Sequence, residues 1–158
     1  EDEKSFALYE RRVELGGWEE EVWYSRYQLA KLAERMGQAG EVVIARYLDA
    51  YEHRPKRAEP LVQAARWMRE HGRHHLAHLF AAKAAAIPQP DDILFVEAAA
   101  YEWRALDEFA VASYWCGEHA QSIKACDDLL SRPGLPDEHR ERIEKNRAHA
   151  VAALTGVE

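Results

Sequence analysis

The feature that most constrains the fold is a repeated order of helix-forming residues, one glycine, further helix-forming residues and one proline. Gly37 and Gly72 are 35 residues apart, and Gly72 and Gly117 are 45 apart. Pro88 follows Gly72 by 16 residues, and Pro133 follows Gly117 by the same 16. Glycine permits the left-handed residue that ends a helix, and proline cannot continue one. The spacing therefore predicts a row of helix pairs, each with glycine between its two helices and proline after the second.

Apolar residues between these breaks recur at the helical spacing of three and four positions. When the glycines are superposed, each first helix carries an alanine at the same place, where a small side chain allows close helix approach; these are Ala30, Ala65 and Ala110. The second helices carry apolar stripes, formed by Val43, Tyr47 and Ala50, by Leu76, Leu79, Phe80 and Ala84, and by Ile123, Cys126, Leu129 and Leu130. The only β-like run, residues 93–96, leads directly into Glu97 and three alanines and is predicted as helix.

These patterns predict an all-α fold with one domain, residues 1–158, built as a right-handed α-solenoid of antiparallel helix pairs. The predicted units are a half repeat at 4–15, repeats at 19–55 and 57–88, an extended repeat at 91–133 and a capping helix at 136–155. The longer second glycine interval predicts an inserted helix segment of about eleven residues before Arg104, with Asp92 as its N-cap.

Composition restricts the classes of function. The net charge of −7 argues against binding to nucleic-acid phosphates. No apolar run approaches the roughly 18 residues of a membrane span, and the acidic N-terminus has no signal-peptide pattern. Cys116 and Cys126 lack metal-ligand companions and are predicted to be small buried side chains in a reduced, cytoplasmic setting. The charge is uneven: residues 54–83 hold seven Lys or Arg and two acids, whereas residues 91–109 hold six acids and one Arg.

No motif predicts catalysis or a cofactor. The histidines at 71, 74, 75 and 78 include pairs four apart, which is a metal-binding spacing, but no Cys or Glu completes a ligand set. His74 and His78 are therefore only weak metal candidates, and a solvated helix start or adventitious metal binding is the alternative. Asp107 and Glu108 are consecutive on a predicted helix and point about 100° apart, so they do not face each other for acid–base work.

The 35-residue glycine interval is close to the 34-residue period of tetratricopeptide repeats. Longer strings are more specific: residues 11–21 (RRVELGGWEEE), 57–61 (RAEPL), 87–97 (IPQPDDILFVE) and 101–108 (YEWRALDE). They resemble the C-terminal repeat region of bacterial family 2 glycosyltransferases that carry tetratricopeptide repeats. The resemblance implies a parent enzyme that transfers sugar from a nucleotide-sugar donor. This chain lacks the Asp-x-Asp motif of that enzyme domain, so no catalytic residue carries over and the chain itself is predicted not to be an enzyme.

In tetratricopeptide arrays, the first helix of each pair lines a concave groove. Counting from each glycine as position fifteen selects a set of groove-facing residues rich in Arg, Tyr and Trp, the residue types of interface hot spots. The predicted partner-binding residues are Tyr24, Tyr27, Lys31, Arg66, Arg69, Arg104, Asp107, Tyr114 and Trp115. The alternative is that the arginines pair with neighbouring acids and that Tyr114 and Trp115 pack against the inserted helix.

Three functions remain open on the sequence. The first is a non-catalytic interaction module, appended to a glycosyltransferase, that binds a protein or peptide partner or the acceptor in its groove. The second is self-association through an apolar end that exposes Phe6, Leu8 and Tyr9. The third is direct binding of sugar or acceptor, with aromatic side chains as stacking platforms. None of the three functions involves a nucleic-acid or membrane partner.

Overall fold

A computed structural model describes residues 1–156 of the chain, so the last two residues of the predicted domain lie outside the described part. The helices are α1 (Asp2–Leu15), α2 (Glu19–Arg35), α3 (Gly40–His53), α4 (Glu59–Glu70), α5 (His74–Ala85), α6 (Ala105–Trp115), α7 (His119–Ser131) and α8 (Asp137–Thr155). A π-helical turn, Ala100–Arg104, runs into α6. Residues 1–156 contain no strand, and the predicted all-α fold is confirmed.

The helices pack in succession along the chain. Each helix from α1 to α7 contacts the next one, and α4 also contacts α6. The turns after α2, α4 and α6 each contain one of the repeated glycines, Gly37, Gly72 and Gly117, with φ of 69°, 71° and 80°. A residue with a Cβ is strained in this left-handed region, and this explains why glycine recurs where one helix ends and the next must turn back.

The core is a series of three clusters between successive helices. In the first cluster, Trp23, Tyr27 and Tyr47 are buried between α2 and α3. The recurrent alanines Ala30 and Ala65 are fully buried, and Ala110 nearly so, which agrees with their predicted role in close helix approach. Because each helix from α2 to α7 buries residues against its neighbours, the core is divided among successive helices and is not one central cluster.

The predicted inserted helix is wrong for residues 92–97. Residues 86–97 form a loop, and helical structure resumes only at residue 98. Pro88 and Pro90 lack the N–H that a helix interior requires. Further along, backbone groups of residues 93, 94, 95 and 97 bond to the side chains of Glu20, Arg57 and Glu59, so they have partners outside a helix. Asp92 is therefore a buried loop residue and not an N-cap.

The two ends differ from the sequence prediction in detail. Phe6 of α1 packs under the guanidinium of Arg46 at 4.6 Å, and Tyr9 packs edge-on against Tyr24. Of the three apolar residues predicted to be exposed, only Leu8 points outward, with 69% of its surface accessible. At the other end, α8 buries Ile143 and Ala150 against the preceding helices. No helix within residues 1–156 combines the length and apolarity needed to cross a membrane.

Candidate functional site

Helices α2, α4 and α6 together form one surface, termed here the α2–α4–α6 face, which carries most of the predicted partner-binding residues. Ion pairs tie the three helices together across it. Arg66 of α4 lies 2.6 Å from Glu34 of α2, and Arg69 of α4 bonds Glu108 of α6 at 2.7 Å. The alternative stated above, that the arginines pair with neighbouring acids, therefore holds for Arg66 and Arg69 in the isolated chain.

The polar groups of the Arg66 cluster are already paired with one another. Its guanidinium bonds both Glu34 oxygens and also Glu70 at 2.7 Å, while the Tyr47 hydroxyl donates to Glu34 at 2.7 Å. Burial by itself lowers the pKa of Arg66, but the hydrogen bonds to Glu34 outweigh it and raise that pKa. Burial also raises the pKa of Tyr47, and its bond to Glu34 adds to the rise. Both groups keep their protons at any physiological pH.

The nine predicted residues do not all share one surface. Tyr27 is buried in the core beside Trp23 and Tyr47, so its prediction as a groove contact is wrong. Tyr24 is covered by the loop at residues 92–97. Tyr114 and Trp115 lie at the end of α6, and Trp115 stacks on His74 of α5 with 5.2 Å between ring centres. Tyr114 contacts Trp115 and His119, so the aromatic contacts of both rings lie outside the segment before Arg104.

A buried ionic cluster holds the loop against the N-terminal ends of α2 and α4. We name it the loop clamp and define it by Glu20, Arg57, Glu59 and Asp92. The Arg57 side chain has no accessible surface, and it bonds Glu59 at 2.8 Å and Asp92 at 3.1 Å. It also donates to the backbone carbonyls of residues 94 and 95, at 3.2 and 2.9 Å. A single buried guanidinium thus connects α4 to the middle of the loop.

The carboxylates of the loop clamp accept from the loop backbone. One oxygen of Glu20 accepts the N–H groups of residues 93 and 94 at 3.1 and 2.8 Å. Glu59 accepts the N–H of Glu97 at 3.2 Å and the Tyr101 hydroxyl at 2.6 Å. That hydroxyl in turn accepts the N–H of Ala58 at 3.0 Å. Almost every donor around the clamp therefore has a partner, the condition under which buried charges are tolerated.

Cations at the rim complete the clamp. Arg54 bonds Asp92 through two nitrogens at 2.7 and 2.6 Å, and Lys56 lies 2.7 Å from the same carboxylate. These hydrogen bonds, led by the one from Arg54, hold the pKa of Asp92 well below its ordinary value. The basic stretch and the acidic stretch seen in the sequence meet here, and their pairing determines where the loop lies.

Two aromatic contacts flank the clamp. The Arg57 guanidinium lies 3.7 Å from the centre of the Trp23 ring, a cation–π geometry in the protein interior. On the loop, Phe95 stacks on Tyr24 with 3.9 Å between ring centres and 21° between ring planes. Phe95 has φ of 53°, a conformation that a bulky residue adopts only when its surroundings enforce it. The loop clamp and the stack of Phe95 on Tyr24 together hold Phe95 in this conformation.

A cavity at one end of the α2–α4–α6 face lies between α4, α6 and α8 and has a volume of about 390 Å³. We name it the α8 cavity. It is lined by Arg69, Trp103, Arg104, Asp107, Glu108, Val111, His139, Arg142 and Asn146. Four of these residues belong to the predicted set or lie beside it in α6, and three come from α8, which the sequence treats only as a cap.

The weak metal candidates have other contacts. His74 stacks on Trp115, and His78 packs against Phe109 with 5.0 Å between ring centres. His71 stacks on Trp67 at 3.7 Å. Within residues 1–156, no three His, Cys, Asp or Glu side chains are grouped so as to hold a metal ion. His74 and His78 therefore pack between α5 and α6, whereas His71 is exposed and stacks on a ring of its own helix, α4.

The two thiols are not activated. Cys126 is buried, and burial raises its pKa to about 11. Cys116 is half-buried, and burial followed by the charge of Glu118 raises its pKa as well. A thiol with a raised pKa is protonated near neutral pH and is a weak nucleophile. Neither cysteine has the environment of a catalytic group.

The sequence patterns did not predict the loop clamp, although the sequence contains one signal for it. Glu20 and Arg57 lie at helix starts, where polar residues are ordinary, and only the switch from basic to acidic residues marked the region. The sequence patterns did not predict the α8 cavity either, because α8 was treated as a cap. Searches of family models, curated proteins and solved structures give no match to this chain. The inference about function therefore starts from the geometry of the molecule.

Proposed function

We propose that this chain is a non-catalytic interaction module of the tetratricopeptide type, which binds a peptide segment of a partner protein on its α2–α4–α6 face. The proposal includes the right-handed superhelical arrangement of helix pairs expected from the glycine spacing. The observation that carries it is the α8 cavity, a site of about 390 Å³ formed by α4, the π-helical turn and α6, with α8 as an added wall.

The chemistry of this cavity suits recognition better than reaction. Asp107 and Glu108 are both bonded to arginines, so neither carboxylate is free to act as a base. The cavity lining combines charged groups, one amide and the rings of Trp103 and His139, which lie 4.5 Å apart. Arginine and aromatic side chains grouped in a concave site are typical of the residues that dominate the binding energy of interfaces.

The test is site-specific photocrosslinking in the protein as it is expressed in its host. A photoreactive diazirine amino acid replaces Val111 in the cavity, and in a matched variant it replaces Leu79 of α5, which is 59% exposed on a different surface. We expect the Val111 variant to give a discrete adduct that mass spectrometry maps to one short peptide segment. Equal adducts from both positions, or none from Val111, would contradict the proposal.

We propose further that the module belongs to a bacterial glycosyltransferase and presents a partner or acceptor to it. The support is the resemblance of residues 11–21, 57–61, 87–97 and 101–108 to the repeat region of such enzymes. In the folded chain, the first three strings provide the loop clamp, and the third also provides most of the loop that the clamp holds. A glycosyltransferase domain in the same gene product, with its Asp-x-Asp motif, is the expected finding, and its absence would remove this part.

Self-association is a second candidate, favoured by the outer face of α1. Leu8 and Leu15 are seven residues apart on that helix and are 69% and 71% exposed, so they form one apolar stripe. A matching stripe on a second copy would cover them. Sedimentation of the chain at high protein concentration decides the question: a dimer that Leu8→Glu disrupts supports this candidate, and a monomer removes it.

A further inference from the structure

We infer that the α8 cavity binds a side-chain carboxylate of an acidic peptide segment, and that Arg104 is its main contact. This inference rests on the proposed function, because it specifies the chemistry of the ligand on the same face. Three features carry it: the state of the charged side chains in the cavity, the neutral groups around them, and the loop that closes the neighbouring part of the face.

Two of the three arginines in the cavity are already committed. Arg69 bonds Glu108 through two nitrogens, at 2.7 and 3.1 Å. Arg142 of α8 bonds both oxygens of Asp107, at 3.0 and 2.9 Å. Each pair is bidentate and neutral, the strongest arrangement available to these groups. The two ion pairs line the cavity with side chains of fixed position, and each pair carries no net charge.

Arg104 differs from both. Its guanidinium makes no hydrogen bond to any described residue, and its nearest acid is Glu97, at 3.7 Å. Glu97 is shared with Lys31, which approaches it at 3.8 Å, so this single carboxylate serves two cations. The cavity lining therefore holds one cation in excess, and the N–H donors of this guanidinium make no hydrogen bond to a described residue. A carboxylate matches the fork of a guanidinium and would bond it through both oxygens.

The remaining lining suits a peptide better than a free anion. Asn146 of α8 offers an amide that both donates and accepts, which matches a peptide backbone. Val111 and the rings of Trp103 and His139 supply an apolar wall for the methylene groups of a side chain. An inorganic anion would leave that wall without contacts, whereas a glutamate side chain on a peptide would cover it.

The loop explains why the binding is confined to this end of the face. Phe95 covers Tyr24, and Glu97 lies beside Lys31, so the loop occupies the surface of α2 that a longer peptide would otherwise follow. The loop clamp is buried, so a ligand that displaced one of its ion pairs would leave a charge unpaired in the interior. A peptide segment is therefore short where it contacts the face and ends against Glu97.

The experiment uses an acetylated and amidated tetrapeptide of glutamate as the probe, followed by two-dimensional ¹H–¹⁵N NMR of the whole chain. The signals of interest are the Trp103 indole N–H and the Asn146 side-chain amide. We expect both to shift in a saturable manner. The matching tetrapeptide of glutamine should bind at least tenfold more weakly, and added salt should weaken the glutamate peptide because Arg104 is partly exposed.

The decisive variant is Arg104→Gln, which removes the free guanidinium and should weaken binding at least tenfold while leaving the melting temperature unchanged. The control is Arg11→Gln on α1, since Arg11 is exposed and forms no ion pair with any described residue. Equal binding by both peptides, saturation by inorganic phosphate alone, or unchanged binding in Arg104→Gln would overturn the inference. A crosslink from Val111 in that event would leave the proposed function intact and reject only its acidic ligand.

Discussion

The two ends of the α2–α4–α6 face differ in how deeply their charged side chains are buried and in how these side chains are paired. At the loop clamp, the side chains of Arg57 and Asp92 are almost completely buried, and the loop supplies Asp92 itself and two backbone carbonyls as partners of Arg57. At the α8 cavity, Arg142 and Asp107 are partly exposed, and Arg104 has no hydrogen-bond partner among the described residues. The first end is a closed structural joint, and the second is open to a ligand.

The difference teaches that burial, and not the type of residue, separates structure from binding in this molecule. Both ends are built from Arg and carboxylates with similar distances. Removing one member of a buried pair leaves an uncompensated charge in the interior, whereas water screens an exposed pair when its partner is lost. The same kind of substitution should therefore have very different consequences at the two ends.

The largest expected effect is that of Arg57→Met. It leaves Glu59 and Asp92 buried without their central cation and frees two loop carbonyls, so we expect a loss of about 3–5 kcal/mol in the free energy of unfolding. Urea denaturation followed by circular dichroism measures it. A loss below about 1 kcal/mol would show that the loop clamp behaves like a surface ion pair, and the proposed difference between the loop clamp and the α8 cavity would then be wrong.

Acidification should have the next largest effect, through Asp92. Its pKa is lowered in the folded chain, so its contribution to stability is fully present above the unfolded value of about 4 and is lost as the pH falls below it. The measurement is the unfolding free energy between pH 7 and pH 2 in the wild type and in Asp92→Asn. The wild type should lose more stability than the variant over this range, and parallel curves would contradict the assignment.

Tyr101→Phe should have a moderate effect. The substitution removes the hydroxyl that donates to Glu59 and accepts from the N–H of Ala58, leaving both groups buried without that partner. We expect a loss of about 1–3 kcal/mol, by the same denaturation measurement. Tyr114→Phe is the matched control, because its hydroxyl makes no hydrogen bond among the described residues and should change stability little.

The smallest effect is expected at the open end, from Arg142→Gln. The Arg142–Asp107 pair is accessible to water, so its loss should cost no more than about 1 kcal/mol. The variant should still matter for binding of the glutamate tetrapeptide, because it removes one wall of the α8 cavity. A destabilisation as large as that of Arg57→Met would show that this end is also a structural joint.

Local sequence signals predicted the helices well and the connection between the second and third pairs badly. The glycines at 37, 72 and 117 end helices as expected, since their positive φ is a local property of the backbone. The expected helix from Asp92 failed because residues 93–97 take their hydrogen-bond partners from Glu20, Arg57 and Glu59, which are distant in the sequence. Periodicity cannot report such partners, because it describes only neighbours along the chain.

The site shows the same division. The position counting placed Arg66, Arg69, Arg104 and Asp107 on one face, and they lie together there. It also selected Tyr27, which the packing of α3 against α2 buries in the core.

The helical class, the turns and the alanines at helix contacts follow from the amino-acid order alone, because each depends on the conformation and size of single residues within one or two turns of helix. The loop clamp and the α8 cavity exist only in the folded chain. Arg57 and Asp92 are 35 residues apart, and so are Asp107 and Arg142. Packing of the intervening helices sets which of these charged pairs is sealed from water and which stays open, and that difference in solvation separates the loop clamp from the proposed binding site.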